Sequence, residues 1–112
     1  MTFTHCGEDG VFASNTKGRL INCVITQCRR SGIHCWENAL IELEGEQTRV
    51  DGNGTTSGHS DWYGFTTFNT SSRIHLLFPL TKESVSTNNH NGNNYGGSGG
   101  TIETVESLEK LL

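Results

Sequence analysis

The sequence predicts an all-β chain, a right-handed parallel β-helix of about four coils closed by a short C-terminal capping helix. Two observations carry that prediction. Apolar strips too short and too frequent for strands alternating with helices (Leu20, Cys23, Ile25; Ile33, Cys35; Ile41, Leu43; Val50) are separated by Asn, Gly and Ser/Thr corners. A Gly followed by an apolar strip also recurs at Gly10, Gly32 and Gly64, with a weaker echo at Gly96, in steps of 22, 32 and 32 residues. Roughly 20 to 50 residues is the period range of solenoids.

The composition suits such a coil. With 32% apolar residues, 14 Gly and one Pro among 112 residues, the chain cannot fill a wide core. A solenoid rung needs only a thin file of inward side chains, since each repeat packs on its neighbours. The length predicts a single domain, residues 1–112, with coils over 3–100 and a last strand and capping helix over 101–112. In Thr2-Phe3-Thr4-His5-Cys6 the first strip begins mid-rung. Terminal rungs need covering, so a homo-oligomer joined through the N-terminal end is expected.

Cys6, Cys23, Cys28 and Cys35 fit no paired zinc spacing. Most fall on inward strips, where a free thiol packs as a small hydrophobe. Along Ala39–Glu44 the alternation turns Ile41 and Leu43 in and Glu42 and Glu44 out. Leu20–Ile25, Ala39–Glu44 and Arg73–Phe78 line up as one stack, and Thr48–Asp51 with Ser84–Thr87 as another. Asn22, Asn38 and Asn69 are corner candidates whose amides could bond the next coil, and Pro79 ends its strip. Beyond it, Val105, Leu108, Leu111 and Leu112 recur at helical steps, which predicts the capping helix.

Two insertions, 51–63 (DGNGTTSGHSDWY) and 87–95 (TNNHNGNNY), are expected to leave the coil at the same phase and stack on one side. Each holds a His and ends on an aromatic residue. Their aromatic rings offer apolar faces to sugar C–H groups, and their amides and carboxylates can bond hydroxyls, the mixture common in ligand sites. The candidate ligand-binding residues are therefore His59, Asp61, Trp62, Tyr63, His90 and Tyr95.

Asn22 to Ile33 reads N-C-x-I-x-x-C-x-x-x-G-I, and with rungs of this form the chain resembles the right-handed β-helix repeat proteins over roughly residues 3 to 100. These have a pectin-lyase-like fold and include repeats of carbohydrate-binding proteins and sugar hydrolases and of the F-box-only protein 11 type. The resemblance implies a fold more than a reaction, because the family spans lyases, glycosidases, tailspikes and non-catalytic modules. Family enzymes have many more coils, and no catalytic motif of any enzyme subfamily falls on these residues.

Other chemistries have less support. A calcium site needs several convergent carboxylates, and the strip after Glu42 and Glu44 offers His75 and Leu77. A glycosidase needs two carboxyls about 5 to 9.5 Å apart, yet the loop one coil beyond Asp51 and Asp61 holds Asn and Gly. His59 with His90 and Asp61 could bind a transition metal only through two loops. His34 and His75 alternate with inward residues and are expected to face solvent. Thr66-Thr67 and Thr2-x-Thr4 extend into no ice-binding file. No cofactor, metal or catalytic residue is assigned.

The net charge of −4 and pI near 5.6 argue against nucleic acid. No run of about 18 apolar residues would span a membrane. The N-terminus carries no basic and apolar leader, which by default places the chain in the cytoplasm. The expected function is a non-catalytic β-helix binding module for carbohydrate or a protein partner; the alternative is a carbohydrate-active enzyme of pectin-lyase-like fold, or a fragment of one.

Overall fold

The computed structural model describes residues 2–4, 6–55, 63–69, 71–89 and 94–106. Its strands come in threes, one triplet per coil. The first coil is β1 (Thr2–Thr4), β2 (Val11–Ser14) and β3 (Lys17–Ile21); the second is β4 (Val24–Thr26), β5 (Ile33–Trp36) and β6 (Leu40–Glu44). The third is β7 (Arg49–Asp51), β8 (Phe65–Phe68) and β9 (Arg73–Leu77). A one-turn helix, α1 (Lys82–Val85), leads into the fourth: β10 (Ser86–Thr87), β11 (Tyr95–Ser98) and β12 (Thr101–Val105).

Each strand pairs in parallel with its counterpart one coil away, giving three four-stranded sheets: β1-β4-β7-β10, β2-β5-β8-β11 and β3-β6-β9-β12. The chain is a parallel β-helix of four coils with one short helix among the described residues. That helix is far too short to cross a membrane.

The corners explain the path. A residue of positive φ stands directly after most strands: Asn15 after β2, Asn22 after β3, Gln27 after β4, Glu37 and Asn38 after β5, Gly45 after β6, Gly52 after β7, Asn69 after β8, Asn88 after β10 and Gly99 after β11. One left-handed residue swings an extended chain sharply into the next sheet, and Asn and Gly tolerate that conformation best. Asn22 also bonds across coils, its Oδ1 accepting the Gln47 N–H at 3.1 Å.

Between the first and second sheets the corner is held from inside. Asn53 and Asn89 are almost fully buried. Asn53 Oδ1 accepts the Cys28 N–H at 3.0 Å, its Nδ2 donates to the Ile25 carbonyl at 3.1 Å, and its own N–H donates to Asn89 Oδ1 at 2.9 Å. Asn89 repeats the pattern, donating from Nδ2 to the Val50 carbonyl and from its N–H to Asn94 Oδ1. The same corner accounts for the rung glycines. A Cβ on Gly10 would run into Ile25, one on Gly32 into Val50 and one on Gly64 into Ser86.

Inside, Ile25 and Val50 of the first sheet meet Ala13, Ile33, Cys35 and Phe65 of the second and Ile41, Leu43, Ile74 and Leu76 of the third. The expected stacking of Thr48–Asp51 on Ser84–Thr87 is present, with Val50 opposite Ser86. The third sheet departs from expectation. Leu43 lies opposite Leu20 and Arg73 opposite Leu40, shifts of four residues and one residue from the predicted alignment. Leu20–Ile25 is no single strip, because Asn22 at φ 51° splits it between two sheets.

The Gly96 echo is also out of phase. Tyr95 pairs with Phe65, which puts Asn94 where a rung glycine was expected and Gly96 opposite Thr66. In consequence only the first insertion, residues 52–64, lengthens this corner. Residues 88–94 nearly match the ordinary length of 27–32, and the extra length of that winding lies at 78–85, with Pro79 and α1. Val105, which the helical steps assigned to the capping helix, instead ends the last strand, paired with Leu77; Leu108, Leu111 and Leu112 lie outside the described residues.

Asn53→Ala would strand the Cys28 N–H and the Ile25 carbonyl in the interior. Each buried group left unsatisfied costs about 1–3 kcal/mol. Urea unfolding of this variant should show a loss of about 3 kcal/mol at unchanged slope.

Candidate functional site

Pleat alternation along the second sheet separates two files. Val11 and Ala13, Ile33 and Cys35, and Phe65 and Thr67 turn inward; Phe12, His34, Trp36, Thr66 and Phe68 turn outward. Phe12 lies opposite His34, and Trp36 opposite Phe68. The result is an aromatic strip running over three successive coils. Phe12, Trp36 and Phe68 are 53%, 42% and 41% exposed, among the largest exposed apolar side chains of the described residues.

The rings support one another. His34 is edge-on to Phe12 at 5.1 Å between centroids and tilted against Phe68 at 5.8 Å, and Phe12 is edge-on to Trp36 at 6.4 Å. Edge-to-face pairs at such distances are the favoured geometry of aromatic quadrupoles. Phe12, His34, Trp36 and Phe68 enclose a shallow hollow of about 240 Å³.

A charged cleft of about 500 Å³ adjoins the strip, lined by Glu8, Asp9, Phe12, Arg30 and His34. Its polar residues come from the corner between the first and second sheets, Glu8 and Asp9 in the first coil and Arg30 in the second. Asp9 is fixed from below: Oδ1 accepts the Ser31 N–H at 2.9 Å, and Oδ2 stands 3.4 Å from His34 Nδ1. Both His34 ring nitrogens are buried, with no hydrogen-bond partner among the described residues. At the rim Arg30 donates to Glu8 at 2.8 Å. That pair is well exposed and contributes little to stability.

Of the residues predicted from sequence, Tyr63 and Tyr95 are described; His59, Asp61, Trp62 and His90 lie outside the described residues. The two tyrosines occupy different phases. The Tyr63 ring lies against the outward side of Gly96, and its N–H donates to Ser31 Oγ. Tyr95 holds the register position of inward-facing Phe65, with the Lys82 ammonium 4.8 Å above its ring. The aromatic strip itself was missed. Its signal is the alternation of V-F-A-S, I-H-C-W and F-T-T-F after Gly10, Gly32 and Gly64, which turns an aromatic ring outward in each coil.

The third sheet carries a charged ladder on its outer face. Arg19 pairs with Glu42 at 3.6 Å and Glu44 at 3.8 Å, and His75, opposite Glu42, has Nε2 3.5 Å from Glu103. His34 and His75 turn outward as expected, yet neighbours cover both: His75 is only 5% exposed, and the His34 side chain 14%. Burial pushes the His75 imidazole below its ordinary value of 6.5; the Glu103 carboxylate opposes that, Arg73 adds to it and Glu42 opposes it. Among the described residues no three His, Cys, Asp or Glu side chains are grouped to hold a metal.

The four cysteines are free thiols, with Cys23, Cys28 and Cys35 buried. Burial pushes the Cys28 thiol up to about 11 and the Cys35 thiol up to about 12. Thiolate, not thiol, is the nucleophile, so these two are packing residues.

Fold and site together describe a parallel β-helix with an open aromatic strip and a charged cleft on one sheet. Comparison with protein-family models, curated proteins and solved structures found no match.

Two outcomes follow. Iodoacetamide at mildly alkaline pH should modify Cys6 and leave Cys28 and Cys35 untouched, all four reacting in denaturant; mass mapping reads the difference. The His75 proton is bound less readily in the folded than in the unfolded chain, so its effect on stability is absent above 6.5 and grows as pH falls from 6.5 towards the lowered folded value. The urea midpoint of the wild type should therefore drop across that window more than that of His75→Gln.

Proposed function

We propose that this chain is a non-catalytic β-helix binding module that takes carbohydrate along the outer face of its second sheet. One observation carries the reading: Phe12, Trp36 and Phe68, from three successive coils, lie open beside a cleft of charged and hydrogen-bonding side chains. Coils of a parallel sheet repeat about every 4.8 Å, close to the advance of one pyranose along an extended glycan. Sugar rings would stack on the aromatic faces while Asp9, Glu8 and Arg30 bond hydroxyls, the division of labour usual in ligand sites. The resemblance to pectin-lyase-like repeats, with carbohydrate-binding proteins and sugar hydrolases among them, favours the same ligand class.

Loop 52–64 belongs to the same corner as Glu8, Asp9 and Arg30, one coil further on. His59, Asp61 and Trp62 join the proposal through that place in the chain, with the Tyr63 ring against Gly96. The phase shift at Tyr95 leaves Tyr95 and His90 a weaker claim to the same face.

The rival reading, a carbohydrate-active enzyme, draws on Glu8 and Asp9 lining one cleft. Paired-carboxylate hydrolysis sets one carboxyl in apolar surroundings as the acid. Here Glu8 is exposed and paired with Arg30, while Asp9 is occupied by the Ser31 amide. That arrangement favours binding over turnover.

A glycan array of wild type and Trp36→Ala tests the proposal. Bound glycans should lose at least tenfold in affinity in the variant, or about 1.4 kcal/mol, with the far-ultraviolet spectrum unchanged because Trp36 is a surface residue. A signal indifferent to Trp36 removes the strip, and new reducing ends from a polysaccharide panel would favour the enzyme.

A further inference from the structure

We propose that the glycan taken by this face carries free amino groups, as a polyglucosamine chain does; the inference rests on the carbohydrate reading above and assigns it a charge. The cleft beside the strip sets two carboxylates against one guanidinium, and that guanidinium is already bonded to Glu8. Asp9 is the inner carboxylate. Its side chain is 9% exposed, one oxygen satisfied by the Ser31 amide and the other turned to His34. A uronate carboxylate entering here would meet like charge, and opposed like charges across an interface are strongly disfavoured. A sugar ammonium would meet the opposite.

The aromatic wall selects in the same direction. Phe12 lines both the charged cleft and the aromatic hollow, so a pyranose stacked on the strip would place a ring substituent at the carboxylates. An ammonium there also lies beside the ring of Phe12, whose π-face attracts cations. A neutral acetamide in its place gains neither interaction. The net charge of −4 draws a cationic chain from a distance without fixing where it binds.

The test titrates the full chain with glucosamine hexamer, N-acetylglucosamine hexamer and oligogalacturonate by calorimetry, at low salt and about pH 6 so that the amines are protonated. The glucosamine hexamer should bind at least tenfold more tightly than its acetylated form, with no binding of the galacturonate, and the margin should shrink as salt screens the charges. Glu8→Gln with Asp9→Asn should remove that margin, the glucosamine hexamer losing at least tenfold more affinity than the acetylated one, because the charge is gone while Asn keeps an acceptor for the Ser31 amide. Should the double variant fail to fold, exposed Glu8→Gln alone should reduce the margin.

Equal binding of the two hexamers, both lost in Trp36→Ala, would overturn the amino-sugar inference and leave the carbohydrate reading standing. A margin that survives in Trp36→Ala and in the carboxylate variants alike would also overturn it, as general attraction to an acidic chain. Failure of all three ligands overturns the inference, and the glycan array then decides the carbohydrate reading separately.

Discussion

The corner between the first and second sheets is the constraint on which the rest of the coil depends. Backbone groups leaving a strand there lose their ladder partners, and burying them unpaired costs more than the strand gains. Asn53 and Asn89 resolve this by carrying amide groups into the interior, where Asn53 bonds one coil behind and one coil ahead and Asn89 bonds the coil behind and its own. Because their side chains span the rise of a coil, they hold successive windings in register as well as satisfying the turn. The rung glycines follow from the same crowding, since the space a Cβ would need at Gly32 belongs to Val50.

Register at that corner is what turns three separate side chains into a surface. Val11, Ile33 and Phe65 are aligned by the glycine before each of them, so the residues alternating with them stand in files on the outside. A slip of one residue would send Phe12, Trp36 and Phe68 inward and the core outward. The same corner supplies Glu8, Asp9 and Arg30, so strip and cleft share one structural origin. The third sheet uses its outer face differently. There Arg19, Glu42, His75 and Glu103 cover one another, and no open aromatic surface remains.

The coil architecture was legible from sequence because glycine and asparagine at a strand end have few other uses. Gly10, Gly32 and Gly64 revealed their stacking, and Val50 its partner Ser86, through local pattern alone. The register of the third sheet was not. Leu20 to Ile25 looks like one apolar strip until Asn22 turns within it, and a left-handed asparagine has the same letter as an extended one. Gly96 misled for a related reason: a glycine in a loop-rich stretch carries no phase, and Asn94 occupies the rung position instead. The buried asparagines were equally hidden, since Asn53 lies in a run of turn residues that reads as solvent-exposed.

By itself the sequence determined a parallel coil, its number of windings and most of its inward file, because side-chain alternation and rung glycines are local properties of the chain. Tertiary structure alone decided that the extra length at 78–85 opens a different corner from the insertion at 52–64. It alone also decided that Phe12, Trp36 and Phe68 meet beside Asp9 and His34. The physical reason is that residues 22 to 32 positions apart become neighbours only once every corner has used its own number of residues, and that number depends on packing between coils.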